Sequence, residues 1–151
     1  MKSKVYFTKE ISSDALIKIY EALGKKLDGK VAVKMHSGEA GNKNYLRPEF
    51  VKDLVNHVNG TVVECNTAYA GARNTTEKHR ELIKEHEWEK YFPFDLMDAE
   101  GSDLELDVPN GKVLHKNYVG KNLANYDSLL VLSHFKGHAM GGYGGALKQL
   151  S

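Results

Sequence analysis

The densest chemistry in this chain lies in residues 133–148. Ser133-His134-Phe135-Lys136-Gly137-His138 leads through Ala139-Met140 into Gly141-Gly142-Tyr143-Gly144-Gly145-Ala146-Leu147-Lys148, so two imidazoles, two ammonium groups and five glycines share a short stretch. Glycine costs about 0.5–1 kcal/mol relative to alanine in regular structure. Five in so short a run predict tight turns or a ligand lying against bare backbone. Gly141, Gly142, Gly144 and Gly145 can offer backbone N–H groups to a phosphate or carboxylate, with a helix beginning near Tyr143 and with Lys136 and Lys148 adding charge. The spacing matches neither the P-loop nor the dinucleotide fingerprint, so this reading stops at a small anionic ligand or cofactor. His134 and His138 are four apart, a spacing that suits two metal ligands on one helical turn, yet Gly137 between them weakens that helix. No metal site is assigned. An imidazole titrates near 6.5, about the value that proton transfer at neutral pH requires. His36, His134 and His138 are therefore the candidate catalytic residues.

Two further polar groups follow apolar runs: His36-Ser37-Gly38-Glu39-Ala40-Gly41-Asn42, and Cys65-Asn66-Thr67-Ala68-Tyr69-Ala70-Gly71-Ala72-Arg73-Asn74. Glu39, Asn66 and Arg73 join the ligand-binding set from these groups. Arg73 stands just before a predicted helix start, where free N–H donors favour anions. Each group also has a plainer reading. Gly38 and Gly41 serve as turn residues, Glu39 and Lys43 as solvated charges, Asn66, Thr67 and Asn74 as caps, and Cys65 as a small buried hydrophobe.

Positioning these groups falls to an alternation of strand-like and helix-like segments. A short strand is predicted over 4–8, then a helix capped by Ser12 or Ser13 with Leu16, Ile19, Tyr20, Leu23 and Leu27 on one face. A strand over 30–35 follows. Pro48 marks a first helical position, Phe50, Leu54, Val55 and Val58 form its apolar stripe, and Gly60 stops it. Next come a strand over 61–65 and a helix from Asn74, with Glu77 as capping-box partner. Strands over 94–99 and 104–108 precede Asn110-Gly111, a hairpin turn leading into 112–118. The apolar run 127–132 reads as a strand covered on both faces. The fold class is α/β: a mainly parallel sheet of βα units with a β-hairpin excursion near residues 94–120. Ligands in such sheets bind beyond the carboxyl ends of the strands, so the three polar groups are expected on one rim.

The 151 residues are 41% hydrophobic and 27% charged, enough to bury about 70% of the surface the unfolded chain exposes. With 21 basic and 20 acidic residues the formal charge is +1, which leaves nucleic acid without a basic stripe to bind. No apolar stretch approaches the roughly 18 residues of a membrane span, and the N-terminus lacks a signal-peptide core. One cysteine excludes an internal disulfide. A cytoplasmic protein is the simplest reading. The final helix has neither cap nor polar tail, so residues 1–151 are read as a single α/β domain forming the N-terminal part of a longer protein. Such a piece is expected to expose apolar surface and to self-associate.

The motifs Lys34-Met35-His36-Ser37-Gly38-Glu39-Ala40-Gly41-Asn42, Tyr45-Leu46-Arg47-Pro48, Cys65-Asn66-Thr67-Ala68-Tyr69-Ala70-Gly71-Ala72-Arg73 and the segment from Ser133 to Lys148, with Lys4-Val5-Tyr6-Phe7 before them, resemble the family filed as domain of unknown function 362. Members of that family are typically longer, and many carry a ferredoxin-like segment with cysteines spaced for [4Fe–4S] clusters. The resemblance therefore implies a [4Fe–4S] cofactor bound outside this chain, because a cubane cluster wants about four thiolates and only Cys65 is present. It also implies a ferredoxin-like segment or electron carrier as partner. Two functions follow: the substrate- or cofactor-binding part of an iron–sulfur-linked oxidoreductase, or a non-catalytic module that binds an electron carrier or partner protein.

Overall fold

The computed structural model describes residues 3–150. In chain order its elements are α1 (Ser13–Ala22), β1 (Val31–Lys34), α2 (Pro48–His57), β2 (Gly60–Glu64), α3 (Thr76–Glu85), β3 (Phe94–Leu96), β4 (Leu104–Asp107), β5 (Lys116–Val119), β6 (Ser128–Val131), β7 (Lys136–His138), β8 (Gly142–Gly144) and α4 (Ala146–Leu150). Short 3₁₀ turns occupy Trp88–Lys90 and Lys121–Asn125. Helix starts follow local chemistry. Ser12 Oγ accepts the Ala15 N–H at 3.1 Å, Pro48 sits where its missing N–H costs nothing, and the Thr75 side chain accepts from Lys78 N–H.

The central sheet has strand order β3-β2-β1-β6, and every pairing in it is parallel. Val31 stands opposite Gly60 on one side and Ser128 on the other. Strand alternation splits the core in two. Val31, Val33 and Val62 face a large cluster with Val51 and Val55 of α2, Ile83 of α3, Trp88 and Phe92. Ala32 and Val63 face a smaller one with Met97, Cys65, Leu123 and Tyr126. Each fully buried large side chain contributes about 1.5–3 kcal/mol, so the helical face of the sheet carries most of the stability.

The α/β class stands as read, with several elements placed differently. Residues 4–8 form no strand; Val5 and Phe7 are 87% and 81% exposed, with no neighbouring strand to pair with. Leu23 and Leu27 lie past the end of α1. The stop after α2 is Asn59, at φ 48°, and Gly60 already begins β2. The cap of α3 is Thr75 rather than Asn74, because the threonine hydroxyl takes the otherwise free Lys78 N–H. The hairpin excursion shrinks to β4 and β5, since Phe94–Leu96 joins the parallel sheet beside β2. β6 lies at the sheet edge with Leu129 39% exposed, so it is not covered on both faces. The glycine-rich stretch folds as the β7–β8 hairpin, and helix begins only at Ala146.

Candidate functional site

Parallel pairing sets the carboxyl ends of β1, β2 and β6 on one rim, and the segments that leave them build the site. The loop after β1 is clamped. The Ser37 carbonyl accepts from Trp88 Nε1–H at 2.9 Å and bonds His86 Nδ1 at 2.8 Å. Tyr45 stacks on His86 at 4.4 Å, and the Arg47 guanidinium lies 4.2 Å from the Tyr45 ring. Gly38 has φ +97°, and a Cβ there would meet the Tyr45 ring at 2.8 Å and His86 at 3.0 Å. Only glycine fits both the backbone and the space.

Beneath this loop is a buried charge network. Glu64, at the end of β2, accepts Ser37 N–H at 2.8 Å and Arg73 Nη1–H at 2.9 Å, with His79 Nε2 at 3.3 Å. Arg73 also pairs with Glu39 and donates to Tyr69 Oη at 2.8 Å. His79 Nε2 lies 2.9 Å from Ser37 Oγ, and its Nδ1 lies 3.2 Å from Asn66 Oδ1. Asn66 N–H in turn donates to Asp98. Burial pushes the Glu64 carboxyl up, but the His79 hydrogen bond and the charges of Lys34, Arg73 and His36 outweigh it and hold the group at about 2. Ser37 and His79 are completely buried, so their hydroxyl–imidazole contact positions Glu64 and closes the floor of the site.

Above the network lies a cleft of about 470 Å³ lined by His36, Glu39, Tyr69, His134, Lys136, His138, Gly144, Gly145 and Lys148, among others. Glu39 is the one carboxylate in this lining. Burial raises its pKa, and the Arg73 hydrogen bond and charge lower it by more, so it stays ionised and paired. Two imidazoles are oriented by backbone. His36 Nδ1 accepts Gly38 N–H at 2.9 Å, and His138 Nδ1 accepts Gly141 N–H at 3.1 Å. A backbone N–H only donates, so each neutral ring carries its proton on Nε2. Burial lowers the His36 pKa, with the opposing charge of Glu64 insufficient to reverse it, which favours this neutral form. His36 is thus a fixed Nε2–H donor, with Nε2 at 3.8 Å from Glu39 Oε1.

A second cleft of about 560 Å³ adjoins the first, and His36, Tyr69, Lys148 and Gln149 line both. Its floor is Lys34, Glu64, Cys65, Asn66, Arg73 and Asp98. The rim therefore gathers His36, Glu39, His134, Lys136, His138, Gly144, Gly145 and Lys148 around one cleft and Asn66 and Arg73 beside the other. Gly141 and Gly142 line neither, and the Gly141 N–H is taken up by His138.

Sequence reasoning passed over Lys34, Ser37, Glu64, Tyr69, His79 and Asp98. The signal was present for two of them: Lys34 and Glu64 are charges closing otherwise apolar strands, and such charges stay buried only when something at the strand end holds them.

Among the described residues no group of three His, Cys, Asp or Glu side chains is arranged to hold a metal ion. A metal-bound imidazole normally donates its other ring N–H, whereas His36 and His138 use Nδ1 as an acceptor. Cys65 is a lone thiol whose pKa is pushed up to about 11 by burial and by Asp98, so it stays protonated at neutral pH. These residues do not fit a [4Fe–4S] cluster, which needs thiolate ligands. Among the described residues no helix is long and apolar enough to cross a membrane.

No curated protein and no solved structure matches the chain significantly. A family model does, over residues 31–151, and that span holds β1, β2, β6 and every group on the rim. The chain belongs to the family described as Domain of unknown function (DUF362).

Proposed function

We propose that this chain is the ligand-binding part of an oxidoreductase, and that the first cleft takes a small anion bearing a carboxylate or phosphate group. The redox assignment draws on the family resemblance, with electrons supplied by an iron–sulfur carrier outside residues 1–151. Anion recognition draws on the geometry. The observation that carries it is the pair of imidazoles, His36 and His138, each tied at Nδ1 to a backbone N–H in a cleft that also holds Lys136 and Lys148. Fixed Nε2–H donors and ammonium groups stabilise negative charge, and the single carboxylate in the lining is already paired with Arg73. A neutral imidazole donor also polarises a carbonyl without giving up its proton, which suits charge developing on oxygen during reduction or enolisation.

Titration calorimetry with inorganic phosphate and with oxalate tests this reading. Binding should weaken as salt rises from about 0.05 to 0.5 M, because exposed charges are screened over that range. His138→Ala combined with Lys136→Ala should lower affinity by about tenfold, or 1.4 kcal/mol. Absence of binding by either anion, or equal affinity in that double variant, would overturn it.

A further inference from the structure

The second cleft holds a group that anion binding in the first leaves unused. Lys34 closes the central strand β1 on the sheet face of the smaller core cluster, and it is 7% exposed. Among the described residues its Nζ makes one hydrogen bond, to the Met35 carbonyl at 3.1 Å, and no ion pair holds it. An ammonium group has three donors, so this is a poor home for the charged form. Around it, Met97, Leu123 and Leu129 supply apolar wall.

We propose that Lys34 is a carbonyl-capturing amine, and that the second cleft receives a ligand carrying an aldehyde or ketone on an apolar body. The neutral Nζ donates its lone pair to the carbonyl carbon, and the C=O π pair moves to oxygen. Both nitrogen protons pass to that oxygen, the C–O bond breaks, and one water leaves as the C=N bond of an imine forms. The surroundings favour a neutral amine. Burial lowers the Lys34 pKa, and the Arg73 charge works in the same direction against the Glu64 and Asp98 carboxylates. His36, also in this lining, presents Nε2–H as a donor for the departing oxygen.

Reductive trapping on the intact chain tests the proposal without a substitution. The protein is incubated with benzaldehyde and sodium cyanoborohydride, which adds hydride to the iminium carbon, and alkylation is read lysine by lysine by peptide mass spectrometry. Lys34 should be alkylated about tenfold faster at pH 7 than the exposed Lys25, because more of it is neutral, and as pH is raised its rate should level off at a lower pH than that of Lys25. Alkylation of Lys34 no faster than that of Lys25, or a rate that levels off no lower in pH than that of Lys25, would overturn the proposal. Neither outcome depends on phosphate or oxalate, so failure here is distinguishable from failure of the first-cleft reading.

Discussion

The floor of the site and its outer wall are built on opposite terms. The floor ties Glu64, Arg73, His79 and Ser37, all buried, and the half-buried Asn66 together by hydrogen bonds. The wall is the β7–β8 hairpin and α4, where Phe135, Met140, Tyr143 and Leu147 are all more than half exposed. A side-chain tether runs from this wall to the sheet, Gln149 Nε2–H to the Lys34 carbonyl at 2.7 Å. The chain thus commits its costly buried charges to holding the floor, and carries His134, Lys136, His138 and Lys148 on the exposed wall. Substitutions in the floor should cost folding, and substitutions in the wall should cost binding.

The strongest way to break that contrast is Arg73→Met. It removes the guanidinium from the buried Glu64 carboxylate, leaving Ser37 N–H and His79 beside it, and should cost about 3–5 kcal/mol in urea unfolding. A loss below 1 kcal/mol would mean that solvent reaches Glu64 and that the floor is not closed. The same carboxylate sets the acid response. Its folded pKa of about 2 lies below the ordinary 4.5, so its contribution is fully present above about pH 4.5 and is lost as pH falls toward 2. On the order of 2–3 kcal/mol should disappear across that window, and Glu64→Gln should flatten this limb of the stability–pH curve.

Two glycines sharpen the comparison. Gly38→Ala puts a Cβ against the Tyr45 ring at positive φ and should cost about 1–3 kcal/mol in thermal or urea unfolding. At Gly144 a Cβ would meet nothing closer than 3.6 Å, so Gly144→Ala should leave stability nearly unchanged. Equal losses at the two positions would erase the distinction between floor and wall. The smallest expected effect on folding is at Lys136, an exposed residue. Lys136→Ala should move stability by no more than about 0.5 kcal/mol, while phosphate binding measured beside it falls and loses part of its salt dependence.

Sequence periodicity was enough to place β1, α2 and the starts of α1 and α3 within a residue or two, because apolar spacing, Pro48 and hydroxyl caps act locally. It also marked His36, Glu39, His134, Lys136, His138 and Lys148 as chemistry-bearing residues that meet in one cleft, since parallel strands put their carboxyl ends together. Local pattern does not say which strand lies next to which. β3 joined the parallel sheet and β6 took an edge through pairings between residues far apart in the chain, and neither shows in the composition of the strand itself. For the same reason the glycine-rich run read as a helix start and folded as a hairpin. The roles of Glu64 and Lys34 were settled only in three dimensions. In the sequence they are two charges ending two similar apolar strands. Tertiary packing supplies Arg73, His79 and a backbone N–H to the first, and little beyond one carbonyl oxygen to the second.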